Sequence, residues 1–154
     1  MNKVVGVISD THGLVRPQAL DALRGSDLII HAGDIGTPEV LDELNAIAPV
    51  FAVRGNVDRG AWADNLPVSE VVQAGDKFLY VLHNLDELDL DPLAATMHAV
   101  ITGHSHRPMM REQDGVLYFN PGSAGPRRFT LPVAVGRLRV CDDRLEGEII
   151  KLDV

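Results

Sequence analysis

Short apolar runs alternate with amphipathic stretches over the first third of the chain. Residues 4–9, 28–31 and 50–53 are short and mostly apolar, as expected for strands that are buried on both faces. Residues 17–23 and 38–46 each begin with proline, a good first residue for a helix, and carry apolar side chains at helical spacing. The order of strand, helix, strand, helix and strand predicts the opening of a layered α/β fold.

After Pro67 the pattern changes to strand pairs joined by tight turns. Residues 68–74 and 77–83 flank Gly75-Asp76 and predict a hairpin, and residues 133–141 and 145–152 predict another. The stretch between the hairpins predicts one short helix and two strands, over residues 91–97, 99–102 and 116–120. The whole pattern predicts a single domain, residues 1–154, in which two packed β-sheets are flanked by helices.

The composition excludes several classes of protein. Of the 154 residues, 45% are apolar and 23% are charged, and the longest apolar runs are too short to cross a membrane. The first residues lack the apolar stretch and cleavage site of a signal peptide, and the single cysteine excludes an internal disulfide or a Cys-rich zinc site. We therefore expect a cytoplasmic protein with no membrane partner.

The net charge also limits the partners of the protein. It is −8, and no block of Lys or Arg forms a basic stripe, so bulk nucleic-acid binding is not expected. A small phosphorylated substrate stays compatible with this charge, because two bound divalent ions would bring about four positive charges into a cleft.

Metal-capable residues fall where the apolar runs end. Ligands of layered α/β proteins bind beyond the carboxyl ends of the strands, so we expect five loops to meet there. These loops carry two aspartates, one asparagine and four histidines: Asp10, His12, Asp34, Asn56, His83, His104 and His106. Imidazole and carboxylate together suit divalent Mn, Fe, Zn, Co or Ni. Seven groups exceed the roughly four of one tetrahedral centre, and with one bridging carboxylate they supply two metals.

Taken singly, these motifs have simpler interpretations. An Asp-x-His sequence after a strand is commonly a capped turn, and Gly33-Asp34 and Gly55-Asn56 are ordinary turn sequences. Two histidines that flank one residue in a loop, as in Gly103-His104-Ser105-His106, rarely serve packing. The occurrence of all five motifs at the ends of apolar runs favours a metal site.

The motifs, in this order, resemble those of the calcineurin-like metallophosphoesterases, whose blocks read D-x-H, G-D, G-N-x-D/E, a lone His and G-H-x-H. The matching blocks run from Asp10 to His106, and Asp58 keeps the acidic end of the third block. The short chain is similar to the small bacterial and archaeal phosphodiesterases, which share their fold with vacuolar protein sorting 29. The block 120–123, Asn-Pro-Gly-Ser, is also typical of that subgroup, although a simple Pro-Gly turn explains it equally well. The implied fold is a four-layer α/β/β/α sandwich.

The resemblance implies a ligand set for each of two divalent ions. One ion would be held by Asp10, His12, Asp34 and His106. The other would be held by Asp34, Asn56, His83 and His104, with Asp34 as the bridge. The implied catalytic residues are Asp34, Asn56 and His104, and a hydroxide shared by the two ions would attack phosphorus in line with the leaving oxygen. Mn²⁺ is the first metal expected, with Ni²⁺, Zn²⁺, Fe²⁺, Co²⁺ and Mg²⁺ as alternatives.

Two positions depart from the family pattern. Val57 stands where many larger relatives have a histidine that contacts phosphate or assists the leaving group, which favours diesters or activated leaving groups. Asn84 stands where relatives often have glycine, and asparagine tolerates a left-handed backbone better than most residues.

The predicted activity is therefore metal-dependent phosphodiester or phosphate-ester hydrolysis, with two alternatives. The first is a protein-interaction scaffold on the same fold, which would have no need for all seven ligands. The second is a mononuclear hydrolase such as an amidase, which would need three protein ligands and leave Asn56 and half of the histidines unexplained. The natural substrate stays open, and an exposed sheet edge is compatible with a homo-oligomer.

Overall fold

The computed structural model describes residues 2–154, which form two five-stranded β-sheets. The first sheet contains β1 (Lys3–Ile8), β2 (Leu28–His31), β3 (Val50–Ala52), β9 (Ala134–Cys141) and β10 (Arg144–Lys151). Its order is β10-β9-β1-β2-β3. β1, β2 and β3 are parallel, and the β9–β10 hairpin joins antiparallel to β1. The carboxyl ends of the three parallel strands therefore lie at one edge.

The second sheet contains β4 (Ser69–Ala74), β5 (Lys77–Leu82), β6 (Ala99–Ile101), β7 (Met109–Gln113) and β8 (Val116–Asn120). Its order is β4-β5-β6-β8-β7. β5, β6 and β8 are parallel, whereas β4 and β7 pair antiparallel at the two edges. The first predicted hairpin is β4–β5, in register from Ser69–Leu82 to Ala74–Lys77.

The two sheets enclose the main hydrophobic core. Val5 and Val7 of β1 pack with Leu79 of β5, Ile101 of β6 and Phe119 of β8, all of them fully buried. Alternate residues of a strand point to opposite faces, so Ile8 of β1 lies in a separate cluster on the outer side of the first sheet. The sheets thus form the two inner layers of the fold, and burial of these side chains drives their packing.

Helices cover the first sheet more fully than the second. The helices are α1 (Pro17–Leu23), α2 (Pro38–Asn45) and the short α3 (Ala61–Asp64). α1 and α2 both begin with proline, and their buried residues include Leu23 and Leu44 in the cluster beside the first sheet. On the outer side of the second sheet Tyr80, Leu82 and Val100 pack instead against turns and a 3₁₀ turn, Leu85–Glu87.

The predicted α/β fold of two packed sheets flanked by helices is confirmed. The helix predicted over 91–97 is wrong, because this stretch folds as consecutive turns. The Asp91 carboxylate accepts from the backbone N–H groups of Leu93 and Ala94, and Thr96 has a left-handed backbone with φ 61°. Such a residue ends an α-helix, so a helix over this stretch could not propagate. β7 and α3 were not predicted.

A search of residues 2–154 for a helix long and apolar enough to cross a membrane finds none.

Candidate metal centre

Loops from both sheets bring five of the seven predicted ligands together. Asp10, His12 and His106 form one group of potential ligand atoms, all within 4.8 Å of one another, and Asp10, Asp34 and His83 form a second. Asp10, His12 and Asp34 follow strands of the first sheet, whereas His83 and His106 follow strands of the second. The cluster therefore lies where the carboxyl ends of strands from the two sheets meet.

The distances show that each carboxylate faces histidines from both sheets. Asp34 Oδ2 lies 3.2 Å from His83 Nε2 and 3.8 Å from His12 Nε2. Asp10 Oδ1 lies 3.3 Å from His106 Nε2 and 3.9 Å from His83 Nε2. Asp10, His83 and His106 are at most 5% exposed, and the His12 side chain is 26% exposed. The cluster is thus largely shielded from water but open on the His12 side.

Several buried ligand atoms of this cluster lack a hydrogen-bond partner among residues 2–154. They are Asp10 Oδ1, His12 Nε2, His83 Nε2 and His106 Nδ1. Leaving a buried polar atom unpaired costs about 1–3 kcal/mol, so such atoms call for an explanation. Oxygen and imidazole nitrogen are the donors that borderline divalent metals prefer, and the residues present therefore fit a metal ion.

Hydrogen bonds orient two of these side chains for metal binding. His83 Nδ1 lies 2.7 Å from the Ala32 carbonyl and donates to it, which leaves the Nε2 lone pair facing the cluster. Asp10 Oδ2 accepts from Ser9 Oγ at 2.6 Å and from the backbone N–H of His104 at 3.0 Å. Only Oδ1 of Asp10 is left to point at His83 and His106.

The backbone is unusual at the same residues. Nine non-glycine residues of the described chain have positive φ, and five of them are predicted ligands: Asp10, His12, Asp34, His104 and His106. A left-handed backbone costs an ordinary residue free energy and persists only where the surroundings enforce it, most often at functional sites. Hydrogen bonds from Asp10 N to Gly33 O and from His12 N to Asp34 O hold the first two loops together at this point.

Two motif glycines allow the loops to approach the carboxylates. A Cβ at Gly55 would collide with the backbone N and the Oδ1 of Asp34. A Cβ at Gly103 would collide with Ser9 Oγ and lie 2.6 Å from Asp10 Oδ2. The glycines of the G-N and G-H-x-H motifs are therefore required by the close packing of backbone against these carboxylates.

Burial and contacts between the charged groups shift the pKa values of the cluster. Burial alone would raise the pKa of Asp34, but contacts with His83, the Val57 N–H and His12 outweigh it and hold that pKa well below its usual range. Burial alone would lower the pKa of His83, but the contacts with Asp34 and Ala32 and the charges of both aspartates raise it. Burial raises the pKa of the Asp10 carboxyl. A cation bound here would take the place of the proton on His83.

His31 lies under the first two loops. It is fully buried, and burial lowers its pKa to about 3. Nδ1 accepts from the Gly33 N–H at 3.1 Å, so the proton of the neutral ring is on Nε2. Nε2 then donates to Thr11 Oγ1 at 3.0 Å, and the Thr11 hydroxyl donates to the Ile35 carbonyl at 2.8 Å. This series of hydrogen bonds connects the D-x-H loop to the G-D loop.

Asp58, the acidic end of the third motif block, connects the loops that carry Asp34 and Asn56. Its carboxylate accepts from the backbone N–H of Gly36 at 3.0 Å and of Gly55 at 2.9 Å, and the residue is 5% exposed. Asp34 and Asn56 lie on the two loops that this carboxylate ties together.

The Asn-Pro-Gly-Ser block has more contacts than a simple turn needs. The Asn120 amide donates to the Gly103 carbonyl at 2.9 Å and to Ser105 Oγ at 3.2 Å, and Ser123 Oγ donates to the Asp10 carbonyl at 3.0 Å. The block therefore supports the G-H-x-H loop and the D-x-H loop at once. The family motif was the only sequence signal that pointed to this block. Nothing in the sequence pointed to Ser9, which donates to Asp10.

Asn56 and His104, the other two predicted ligands, lie outside the two groups. Both are exposed. The His104 ring meets the His83 ring edge-on, with 5.2 Å between their centroids. Asn56 and His83 line a common cavity of about 240 Å³, which also includes Arg54, Tyr80 and Glu87. Asn56 and His104 thus border the cluster beside His83.

Two packed β-sheets with carboxylates and imidazoles at their strand ends define a fold of the metallophosphoesterase class. The calcineurin-like phosphoesterase superfamily domain matches residues 4–143, and the chain belongs to this family. It is 36% identical over 160 residues to the "probable metallophosphoesterase" of Methanothermobacter thermautotrophicus. The alignment covers 96% of this chain and 92% of the relative. The family is metal-dependent, and this relative indicates a phosphoesterase hydrolase.

Two solved structures share the fold. An archaeal phosphodiesterase superimposes with a TM-score of 0.78 at 23% identity, over 96% of this chain and 99% of its own. Vacuolar protein sorting 29 of Entamoeba histolytica, in complex with zinc, superimposes with a TM-score of 0.72 at 23% identity, over 96% of this chain and 98% of its own. At these identities the likeness shows the fold.

Proposed function

We propose that the protein is a dinuclear metal-dependent phosphodiesterase that acts on small phosphoesters. The observation that supports this most is the buried cluster of two carboxylates and three imidazoles, in which four buried side-chain oxygen or nitrogen atoms have no hydrogen-bond partner among residues 2–154. Metal ions would satisfy those atoms and offset the charge of the two buried aspartates. Packing alone gives no reason for this arrangement.

The proposed ligand sets are those implied by the family resemblance. The first ion takes Asp10, His12, Asp34 and His106. The second takes Asp34, Asn56, His83 and His104. The exposed Asn56 and His104 border the cluster beside His83 and would complete the second set there.

Asp34 is the better candidate for the bridging carboxylate, although Asp10 belongs to both distance groups and Asp34 to one. One oxygen of Asp10 is already engaged by Ser9 and by the His104 N–H. Asp34 Oδ2 faces His12 and His83, one from each proposed set, while its Oδ1 accepts from the Val57 N–H at 3.1 Å. The backbone contact orients Asp34 so that one oxygen serves both sets.

When bound, the two ions would supply charge to stabilise the phosphate oxygens and would acidify the attacking water. The protein's own residues would do the positioning. Asn56 and His104, which are exposed beside His83, would contact the phosphoryl group of a substrate. His83 would be held neutral in one tautomer by its hydrogen bond to Ala32. Mn²⁺ is the first metal to test, and Zn²⁺ is the next.

The substrate preference is argued from Val57. Its side chain is 48% exposed beside the proposed ligand Asn56, where it offers no proton to a leaving oxygen. An alkoxide leaving group departs poorly without an acid, whereas a stabilised leaving group needs none. We therefore expect diesters with good leaving groups to be preferred over simple monoesters.

The test is hydrolysis of bis(p-nitrophenyl) phosphate and of p-nitrophenyl phosphate by metal-stripped protein, with Mn²⁺, Ni²⁺, Zn²⁺ or Mg²⁺ added back. The expected result is metal-dependent turnover, higher for the diester, that falls by at least about 100-fold in Asp34→Asn. Asp76→Asn, which changes an exposed turn residue in the same way, is the matched control and should retain full activity.

The scaffold alternative rests on the fold shared with vacuolar protein sorting 29. No turnover with any metal, despite ions bound at the cluster, would favour it over the proposed enzyme. Activity that is equal in Asp34→Asn and the unaltered protein would instead point to a contaminating hydrolase.

A further inference from the structure

A second cavity borders the metal cluster at His12 and His106. It has a volume of about 220 Å³ and is lined by His12, His106, Pro126, Arg127 and Arg128. Because His12 and His106 belong to the cluster, a molecule bound to the metal centre from this side reaches the arginines directly. The first cavity borders the cluster at His83 instead and shares no lining residue with the second.

The backbone leading to the two arginines is fixed to the metal-binding loops. The Gly125 N–H donates to Ser123 Oγ at 3.2 Å, and the Arg16 guanidinium donates to the Gly125 carbonyl at 3.1 Å. A Cβ at Gly125 would collide with the Asp10 carbonyl, so the segment packs directly on the D-x-H loop. Arg127 Nη2 further donates to the carbonyl of Val154 at 3.1 Å. The arginines are therefore presented to the cavity by an anchored segment.

Both arginines are exposed, and no Asp or Glu forms an ion pair with either of them within the described part of the chain. Arg24, Arg54, Arg137 and Arg144 each pair with a carboxylate, whereas Arg127 and Arg128 have no such partner among residues 2–154. In a chain of net charge −8, two arginines without carboxylate partners beside a cavity favour an anion from outside.

The linings of the two cavities differ in charge. Glu87 and Asp89 line the cavity beside His83, together with Tyr80 and Arg54, and Arg54 also lies 3.7 Å from Asp64. A second anionic group would be repelled by Glu87 and Asp89 and attracted to the cavity lined by Arg127 and Arg128. An extended substrate would thus be oriented by the opposite charges on either side of its central phosphate.

We propose that the substrate is a phosphodiester that carries a second phosphate group on one ester arm, and that Arg127 and Arg128 bind this second phosphate. The inference rests on the proposed phosphodiesterase function and names its substrate class. Guanidinium groups match phosphate through paired hydrogen bonds, and the cavity is large enough for one phosphate. The arm without a second phosphate would occupy the cavity beside His83.

The test compares two substrates that differ by one phosphate: the p-nitrophenyl ester of thymidine 5′-monophosphate and the same ester phosphorylated at the 3′ oxygen. In both reactions water adds to phosphorus, the bond to the nitrophenyl oxygen breaks, and nitrophenolate leaves. The 3′-phosphorylated substrate should have a kcat/KM about 10- to 100-fold higher, mainly through KM, since each charge-assisted hydrogen bond is strong. Arg128→Gln and the double variant Arg127→Gln/Arg128→Gln should remove that difference and leave the simpler ester unchanged.

Arg24→Gln is the matched control, because it removes one exposed positive charge that does not line the cavity and should keep the difference. Equal kcat/KM for the two esters would overturn the inference while leaving the phosphodiesterase function intact. An equal loss for both esters in Arg128→Gln would also overturn it, since that arginine would then serve the scissile phosphate.

A binding measurement covers the case in which neither ester is hydrolysed and the phosphodiesterase function fails. Calorimetric titration with thymidine 3′,5′-bisphosphate and thymidine 5′-monophosphate needs no turnover. Tighter binding of the bisphosphate, lost in the double variant but kept in Arg24→Gln, would support the arginine site by itself. Equal binding of both nucleotides would overturn it.

Discussion

At the scale of single residues, hydrogen bonds distinguish the histidines that face the cluster from His31, which supports it. His83 and His106 each keep a ring nitrogen without a partner among residues 2–154, whereas both nitrogens of His31 are engaged. An imidazole with both nitrogens in use has no lone pair for a metal. The sequence shows only that His31 ends a strand, and the hydrogen bonds assign its role.

His31 makes stability depend on pH with a definite sign. Its pKa in the folded protein is about 3, against 6.5 when unfolded, so between these values the unfolded chain binds a proton that the folded chain does not. Stability therefore rises with pH across this window and is lost as pH falls below 6.5, by up to about 1.4 kcal/mol per pH unit. Protonation would also turn Nδ1 from an acceptor into a donor against the Gly33 N–H.

The measurement is urea unfolding of metal-stripped protein at several pH values from 7 down to 4.5, for the unaltered chain and for His31→Gln. Glutamine offers both an acceptor and a donor but does not titrate, so the slope of stability with pH should fall by about one proton. Identical slopes for the two proteins would contradict a neutral, buried His31.

At the scale of elements, the loops are tied to one another by side chains more than by their own turns. Asp58 joins the loops after β2 and β3, His31 and Thr11 join those after β1 and β2, and Asn120 holds the loop after β6. Ligands from different strands therefore keep fixed relative positions without a metal. A preformed site of this kind lowers the cost of binding.

Asp58→Asn tests this coupling. The amide replaces one carboxylate oxygen by an NH₂ group that faces a backbone N–H, so one of the two hydrogen bonds to Gly36 and Gly55 is lost. Stability of the metal-free protein should fall by about 1–3 kcal/mol, and Mn²⁺ should bind more weakly. Chemical denaturation and calorimetric metal titration measure the two effects. A variant with unchanged stability and unchanged affinity would show that the two loops are independent.

The elements predicted best were those with a strong local signal. The Pro-started helices α1 and α2 and the strands β2 and β8 end within a residue of their predicted limits, because proline and short apolar runs mark them. β7 was missed because Met109–Gln113 lies at the edge of a sheet and is mostly exposed, so its sequence does not alternate. The helix expected over 91–97 failed through the turn contacts of Asp91, which no apolar pattern reveals.

The candidate site shows the same division between local and long-range information. Its residue types follow the strand ends and could be predicted from sequence. The left-handed backbone of Asp10 and Asp34, and the exposed positions of Asn56 and His104, could not, because they depend on contacts between distant loops. The arginine cavity likewise joins residues 12 and 128, which only the packed fold brings together.

At the scale of the whole molecule, metal binding should stabilise the fold. The cluster joins loops of both sheets, and the unfolded chain cannot present its ligands together. At a free metal concentration 100 times its dissociation constant, stability should increase by about 2.7 kcal/mol for each site. Thermal unfolding with and without Mn²⁺ measures this. Asp34→Asn should show a much smaller rise, and an equal rise in both proteins would place the metal elsewhere.

The central claim is that two metal ions act together at one site, and a stoichiometric titration tests it most directly. Metal-stripped protein is titrated with Mn²⁺ while bound metal and hydrolysis of bis(p-nitrophenyl) phosphate are followed in the same samples. Turnover should stay low until the first equivalent is bound and should reach its maximum at two ions per chain. Full activity at one bound ion per chain, or two bound ions with no turnover, would contradict a dinuclear phosphodiesterase.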